Sequence, residues 1–321
     1  MRAGRETTMT MLIRFLSRNK PLVGLVVLMA VVAILSPSFM TIDNLLNILR
    51  QTSINAVIAV GMTYVILSGG IDLSVGSVLA FCGAVCAWLV AGDMSIWLAI
   101  PLTLLLGAGL GAVNGIVVGT GGVQPFVATL VAMTMLRGAT LVFTDGRPIT
   151  TGTGAAADAF WSVGGGYLLG IPVPVVVAAV VFAVCGLVLT RTRFGRYTYA
   201  VGGNEVVARL SGIRVNVEKT TIYALSGLLA ALAGVILTAR LESAQPTAGA
   251  GYELDAIAAV VVGGTSLSGG KGTLFGTLVG ALIIGVLNNA LNLMDVSSYY
   301  QMIAKGAVIL LAVLADSRKS S

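Results

Sequence analysis

Apolar stretches about as long as a bilayer core is thick dominate this chain, separated by short polar or glycine-rich breaks. A hydrocarbon core of about 30 Å needs roughly 20 mostly apolar residues per helix. Windows of that size mark ten spans, at 21–40, 52–68, 75–92, 96–118, 123–144, 171–190, 220–239, 253–268, 273–291 and 299–315. The pattern predicts an all-α fold: a polytopic transmembrane helical bundle forming one domain over residues 1–321. The second and third spans are divided only by residues 69–74, and the eighth and ninth by another Gly/Ser-rich stretch. Arg14, Arg18 and Lys20 precede the first span, but Ile34-Leu35-Ser36-Pro37-Ser38-Phe39 lacks an A-x-A-like cleavage site, so that span reads as a retained helix.

Composition strengthens the membrane reading. Hydrophobic residues make up 57% and charged residues 10% of the chain, against about 25% charged in soluble domains. Forty-one glycines suit helices whose backbones approach closely. The chain has no histidine, which excludes His-dependent nucleophilic triads and His-ligated metals. Cys82, Cys86 and Cys185 form no CxxC pair, and the first two lie within an apolar run, as buried packing residues do. Neither a metal nor any other cofactor is expected, and without a convergent acid–base set the chain does not read as an enzyme.

Charge sets the orientation. Residues 1–20 and residues 190–219 each carry a net +4, and the tail from Asp316 adds +1, while the rest of the chain is net negative. Basic segments stay on the cytoplasmic side, so both termini and the 191–219 loop are expected there, with six spans before the loop and four after. The basic excess is thereby explained without nucleic acid, for which no reader module is present. Trp88, Trp97 and Trp161 fall near span ends, where interfacial aromatics are favoured.

Two breaks echo one another. Residues 69–76 and 263–270 match at five of eight positions with an offset of 194. Paired Gly-interrupted hydrophobic segments point to a transporter's substrate region, while Gly and Ser also make ordinary turns. Both breaks fall on the cytoplasmic side, which does not support a strict inverted repeat. Asp72 in the first break is either a functional carboxylate in the membrane or a capping acid for the helix that follows. Together with Asp72, the residues Ser74, Asn114, Gln124, Asn288, Asn289 and Asn292 are candidates to line a polar route for a hydroxylated solute. Polar residues of this kind also serve as interhelical hydrogen bonds.

In the cytoplasmic loop, Asn204 is positioned as an N-cap, Val206, Val207 and Leu210 sit at helical spacing, and Gly212 stops the helix. Such a helix docks a cytoplasmic partner or rests on lipid. On the opposite side, residues 242–253 and 144–170 are polar and glycine-rich, suited to contact an external partner or simply to connect spans. Gly269-Gly270-Lys271-Gly272-Thr273 lacks the glycine spacing and strand context of a nucleotide-binding loop, so ATP-driven transport would need its ATPase on another polypeptide. A self-sufficient ion-coupled secondary transporter would need ionisable relays in the membrane. Only Asp72, Arg137, Asp255 and Lys305 come near the spans.

Three stretches carry a resemblance: Gly70-Ile71-Asp72-Leu73-Ser74-Val75-Gly76-Ser77, residues 202–213, and Gln245-Pro246-Thr247-Ala248-Gly249 continuing through residues 251–260. The chain resembles bacterial ABC-importer permeases for monosaccharides, over nearly its whole length. The resemblance implies a multi-pass inner-membrane protein that works with a second copy of the permease, a cytoplasmic ABC ATPase and a periplasmic sugar-binding protein, carrying ribose or a related monosaccharide. It implies a coupling helix for the ATPase formed by Gly203, Asn204, Glu205, Ala208, Arg209, Leu210 and Gly212. Gln245, Pro246, Thr247, Tyr252 and Glu253 are the candidates for contact with the binding protein. Residues 1–10 and 150–166 lie outside the resemblance.

Overall fold

The computed structural model describes residues 20–297, 299–307, 310 and 314. The expected cytoplasmic segment 1–20 lies outside these residues but for Lys20, as do the basic tail and part of the tenth span. The described residues are mostly helical: α1 (Lys20–Leu35), α2 (Ile42–Leu67), α3 (Val75–Ala91), α4 (Ile96–Gly119), α5 (Pro125–Thr144), α6 (Ala155–Gly165), α7 (Val173–Arg191), α8 (Arg193–Gly203), α9 (Glu205–Leu210), α10 (Val215–Leu241), α11 (Tyr252–Val262) and α12 (Leu274–Leu293). Residues 299–307 are again helical. Among the described residues six helices are long and apolar enough to cross a membrane unaided: α2, α4, α5, α7, α10 and α12.

Helix ends follow local chemistry. α1 stops before Ser36-Pro37, since the residue preceding proline avoids the helical region. Thr41 caps α2, its hydroxyl accepting from the Asn44 amide at 3.4 Å. The cap starts α2 at Ile42, ten residues before the apolar window at 52, because residues 43–51, with the polar Asp43, Asn44, Asn47, Arg50 and Gln51 among them, form its first turns. The two echoed breaks open alike. Gly69 and Gly264, with φ of 82° and 92°, end α2 and α11 in left-handed C′ positions. Gly70 N donates to the Val65 carbonyl and Gly69 N to Ile66; Thr265 N donates to Val260 and Gly264 N to Val261. Both are Schellman motifs. Their structural register is offset by 195 rather than 194.

Packing divides the helices into inner and outer sets. Over their most apolar windows α2, α10 and α12 are 61%, 72% and 56% buried, whereas α4, α5 and α7 are 17–22% buried. The outer helices leave Leu105, Val113, Met135, Val142, Val180 and Leu187 exposed, as lipid-facing surfaces do. α4 runs antiparallel to α10 along a small-residue seam. A Cβ at Gly111 would fall on the Tyr223 carbonyl, and one at Gly107 on Ala231. Close backbone approach of this kind is how helices associate in lipid, where burial of apolar area adds little.

Three local features depart from the span pattern. The eighth window, 253–268, forms a helix of only 11 residues, because Gly263 and Gly264 end it. At 1.5 Å per residue α11 is about 17 Å long, roughly half a hydrocarbon core. The segment before it re-enters the bundle. Gly249 packs on Gly76, and Arg137, seven residues inside the end of α5, donates to the carbonyls of Pro246 (3.1 Å) and Ala248 (2.8 Å). Irregular backbone at this depth is tolerated because protein surrounds it. Finally, residues 144–170 are not a plain loop. They hold α6, whose Phe160 is fully buried with Cys86, Val90, Ala99, Val235 and Ala239. Two-residue strands tie this end of the bundle: β1 (Ile149–Thr150) pairs with β4 (Ser243–Ala244), and β2 (Tyr167–Leu168) with β3 (Ile171–Pro172).

Candidate functional site

At the first break, Asp72 is a joint. One carboxylate oxygen accepts from the Ser74 amide (3.0 Å) and hydroxyl (2.6 Å), and the other accepts from the Ser226 hydroxyl on α10 (2.9 Å). Asn114 of α4 donates to the Ser74 hydroxyl at 2.9 Å. Asp72 is 1% exposed and Ser74 fully buried. Three of the polar candidates, Asp72, Ser74 and Asn114, thus come together, but they spend their hydrogen bonds on one another and on α10. The geometry is that of an Asx turn clamped between two helices, and it turns no free polar atom of Asp72 toward a cavity.

A second polar assembly lies near the end of the bundle opposite the basic loop. A cavity of about 140 Å³ is walled by α2, α10, α11, α12 and Lys305. Gln51, Thr52 and Asn55 come from α2, Arg240 from α10, Tyr252 and Asp255 from α11, and Asn288 from α12. Lys305 bonds Asp255 Oδ2 at 3.0 Å, and Asn55 Nδ2 donates to the same oxygen at 3.3 Å. Thr52 Oγ1, Asn55 Oδ1 and Asn288 Oδ1 are buried without a hydrogen-bond partner. Buried polar atoms are nearly always satisfied, so a cluster of three at one cavity calls for a ligand or water. Asn288, Asp255, Lys305 and Tyr252 stand out in the sequence, Tyr252 for a different role; Gln51, Thr52, Asn55 and Arg240 do not, though Gln51 and Asn55, four apart, mark one polar face of an apolar helix.

The basic loop folds into two short helices. Asn204 caps α9, its Oδ1 accepting from the Val207 amide at 3.0 Å, and Gly212, with φ of 85°, ends it. Ala208 is buried with Val201 and Val215, while Val206 (67%) and Leu210 (83%) are exposed. The helix therefore holds itself by one small residue and presents its larger apolar side chains outward. Glu205 bridges Lys219 (2.7 Å) and Arg209 (3.2 Å), fixing α9 to the start of α10. The Lys219 hydrogen bond holds the Glu205 carboxyl below the usual carboxylate range. Gly203 is exposed at the α8–α9 joint.

Immediately above, α8 touches both breaks. Gly270 N donates to the Leu67 carbonyl at 2.9 Å, and Gly202 fits between them so closely that a Cβ would fall on that carbonyl oxygen. Tyr199 Oη donates to the Gly272 carbonyl at 2.8 Å. The end of α2 and the loop that follows α11, two helices that wall the polar cavity, thus meet under the same helix.

The remaining candidates are dispersed. Gln124 is exposed at the start of α5. Asn289 pairs reciprocally with Asn44 (2.8 and 3.1 Å), and Asn292 accepts from Gln301 at 2.8 Å. In the re-entrant segment Pro246 is buried, Gln245, Tyr252 and Glu253 are half-buried, and Thr247 is exposed. Gln245 donates to Ser243, and Glu253 accepts from the Gly251 amide.

Comparison with known proteins gives a consistent picture. The family described as branched-chain amino acid transport system / permease component matches residues 44–313. The ribose import permease protein of Haemophilus influenzae is 61% identical over 312 residues, covering 97% of each chain. Its namesake in Bacillus subtilis is 56% identical over 302 residues, 94% of this chain and 93% of that one. The D-allose transport system permease protein of Escherichia coli is 41% identical over 294 residues, 91% of this chain and 89% of that one. No solved structure matches the chain.

Proposed function

The chain belongs to the branched-chain amino acid transport system / permease component family, and we propose that it is the membrane subunit of an ATP-driven importer for ribose. Identity of 56–61% to ribose import permeases over nearly full length carries this reading. It is a transport subunit, not an enzyme. ATP is hydrolysed by a separate cytoplasmic ATPase, and a sugar-binding protein delivers cargo at the opposite face. Two copies of the chain, each crossing the bacterial inner membrane ten times with both termini in the cytoplasm, form the pathway.

α9 is the contact for the ATPase. Its N-cap, its glycine stop and its two exposed apolar residues support that role, as does its place in a segment of net +4. A helix of this design docks as an apolar anchor within a polar rim. Nucleotide on one side and loaded binding protein on the other then bias the same two-state bundle, each through its differential affinity for the two states. The re-entrant segment 245–251 and the surfaces around it, Thr247 above all, are the proposed contact for the binding protein.

Reconstitution tests the reading. The chain in liposomes with its ATPase and binding protein should accumulate labelled ribose only when ATP is present. Alone it should neither hydrolyse ATP nor accumulate sugar; accumulation by the chain alone on an ion gradient would restore the secondary-transporter reading.

A further inference from the structure

We propose that the cavity between α2, α10, α11 and α12 is a binding subsite, within one copy of the chain, for an uncharged polyhydroxylated solute held by Thr52, Asn55 and Asn288. The inference deepens the import reading and takes its probe from it.

The chemistry of the orphaned atoms selects the ligand class. Asn55 Oδ1 and Asn288 Oδ1 are acceptors only, and both are unpaired. The orientation of the Asn55 amide is fixed, because its Nδ2 already donates to Asp255. A carboxylate has no proton to offer these oxygens; a hydroxyl does. Thr52, 6% exposed and unpartnered, can both give and receive. The charges in the wall do not overrule this choice. Asp255 is engaged by Lys305 and Asn55, so the site presents a matched pair together with the guanidinium of Arg240, whose N–H groups can donate to a hydroxyl oxygen.

Size agrees. A cavity of about 140 Å³ is far above the roughly 10–15 Å³ that admits a single water, which leaves room for a small polyol. Tyr252 supplies an aromatic residue in the wall, and Gly285 lies where any side chain would strike the Thr52 hydroxyl. The cavity is therefore kept open by sequence and lined for hydroxyl groups.

Saturation-transfer NMR on the full chain in nanodiscs, with D-ribose and its anionic acid D-ribonate as probes, tests the proposal directly. Wild type should saturate ribose and transfer much less to ribonate. Thr52→Val and Asn288→Leu should each weaken the ribose signal by about three- to tenfold, the worth of one neutral hydrogen bond, and Thr52→Ser should retain it. Each variant changes Thr52 by a single heavy atom, and only Val lacks the hydroxyl, so loss confined to Val reports the hydroxyl rather than folding. No transfer to ribose, a preference for ribonate, or equal signals from Thr52→Val and wild type would overturn the subsite. ATP-driven uptake by the complete complex separates the two readings. Ribose uptake left unchanged by both variants removes the subsite and leaves the import function standing; ribose binding without any uptake does the reverse.

Discussion

At the scale of single residues, Asp72 shows how a buried carboxylate becomes structural. Its oxygens accept three hydrogen bonds that tie the first break to α10 and, through Ser74, to α4. Asp72→Asn keeps the shape but replaces one accepting oxygen with an N–H₂ donor, which either faces the Ser74 amide donor or makes the Ser226 hydroxyl reverse. The loss should be about 1–3 kcal/mol, the cost of a buried polar group left unmatched, read as a lower unfolding temperature in detergent. If Asp72 instead served only cargo, uptake would fall with no change in unfolding. Glu205 gives a pH-dependent counterpart. Its carboxyl is held below the usual range by Lys219, so its contribution is present above that range and vanishes as pH falls through the lowered value. With a side chain 41% exposed, it is worth at most about 1 kcal/mol. Glu205→Gln should lower the unfolding temperature slightly at neutral pH, and the difference should close in acid.

At the scale of elements, α9 and the glycine joint above it act together. Leu210→Asp touches nothing inside the fold, since Leu210 is 83% exposed. It should leave unfolding unchanged while abolishing co-purification with the ATPase; retained association would show that α9 is not the docking element. Gly202→Ala probes transmission instead. A methyl there collides with the Leu67 carbonyl, so α8 must shift away from both breaks. The expected result is an assembled complex that still hydrolyses ATP but imports ribose at least about tenfold more slowly, the rate cost of roughly 1.4 kcal/mol. Import at the wild-type rate would mean that α8 and the breaks move independently.

Over the whole molecule, the inner helices concentrate polar function and the outer ones face lipid. α2, α10 and α12 contribute Thr52, Asn55, Arg240 and Asn288 to one cavity, and their burial lets those groups be polar without meeting hydrocarbon. α2 runs unbroken from that cavity to the glycine joint, and α11 reaches it through the glycine-rich loop that follows, so the polar site and the basic loop are joined through a continuous helix. α11 can be half-length because the re-entrant segment before it is surrounded by α3 and α5.

Much of this was legible in the chain itself. The apolar stretches, the basic loop between the sixth and seventh of them, and the small capped helix at residues 205–210 depend on length, charge and neighbours a few residues apart, which a linear string preserves. Asp72 could be recognised as either a cap or a functional acid, but its partner Ser226 and the Asn114 that bonds Ser74 lie on other helices. The helix within 144–170 and the assembly of Gln51, Thr52, Asn55 and Asn288 were likewise settled only by packing. The reason is physical: a helix in lipid is apolar all round, so no periodic stripe announces which side meets protein. Its neighbours are chosen by close backbone contact and by where a few hydrogen bonds find partners, and both exist only once the helices have come together.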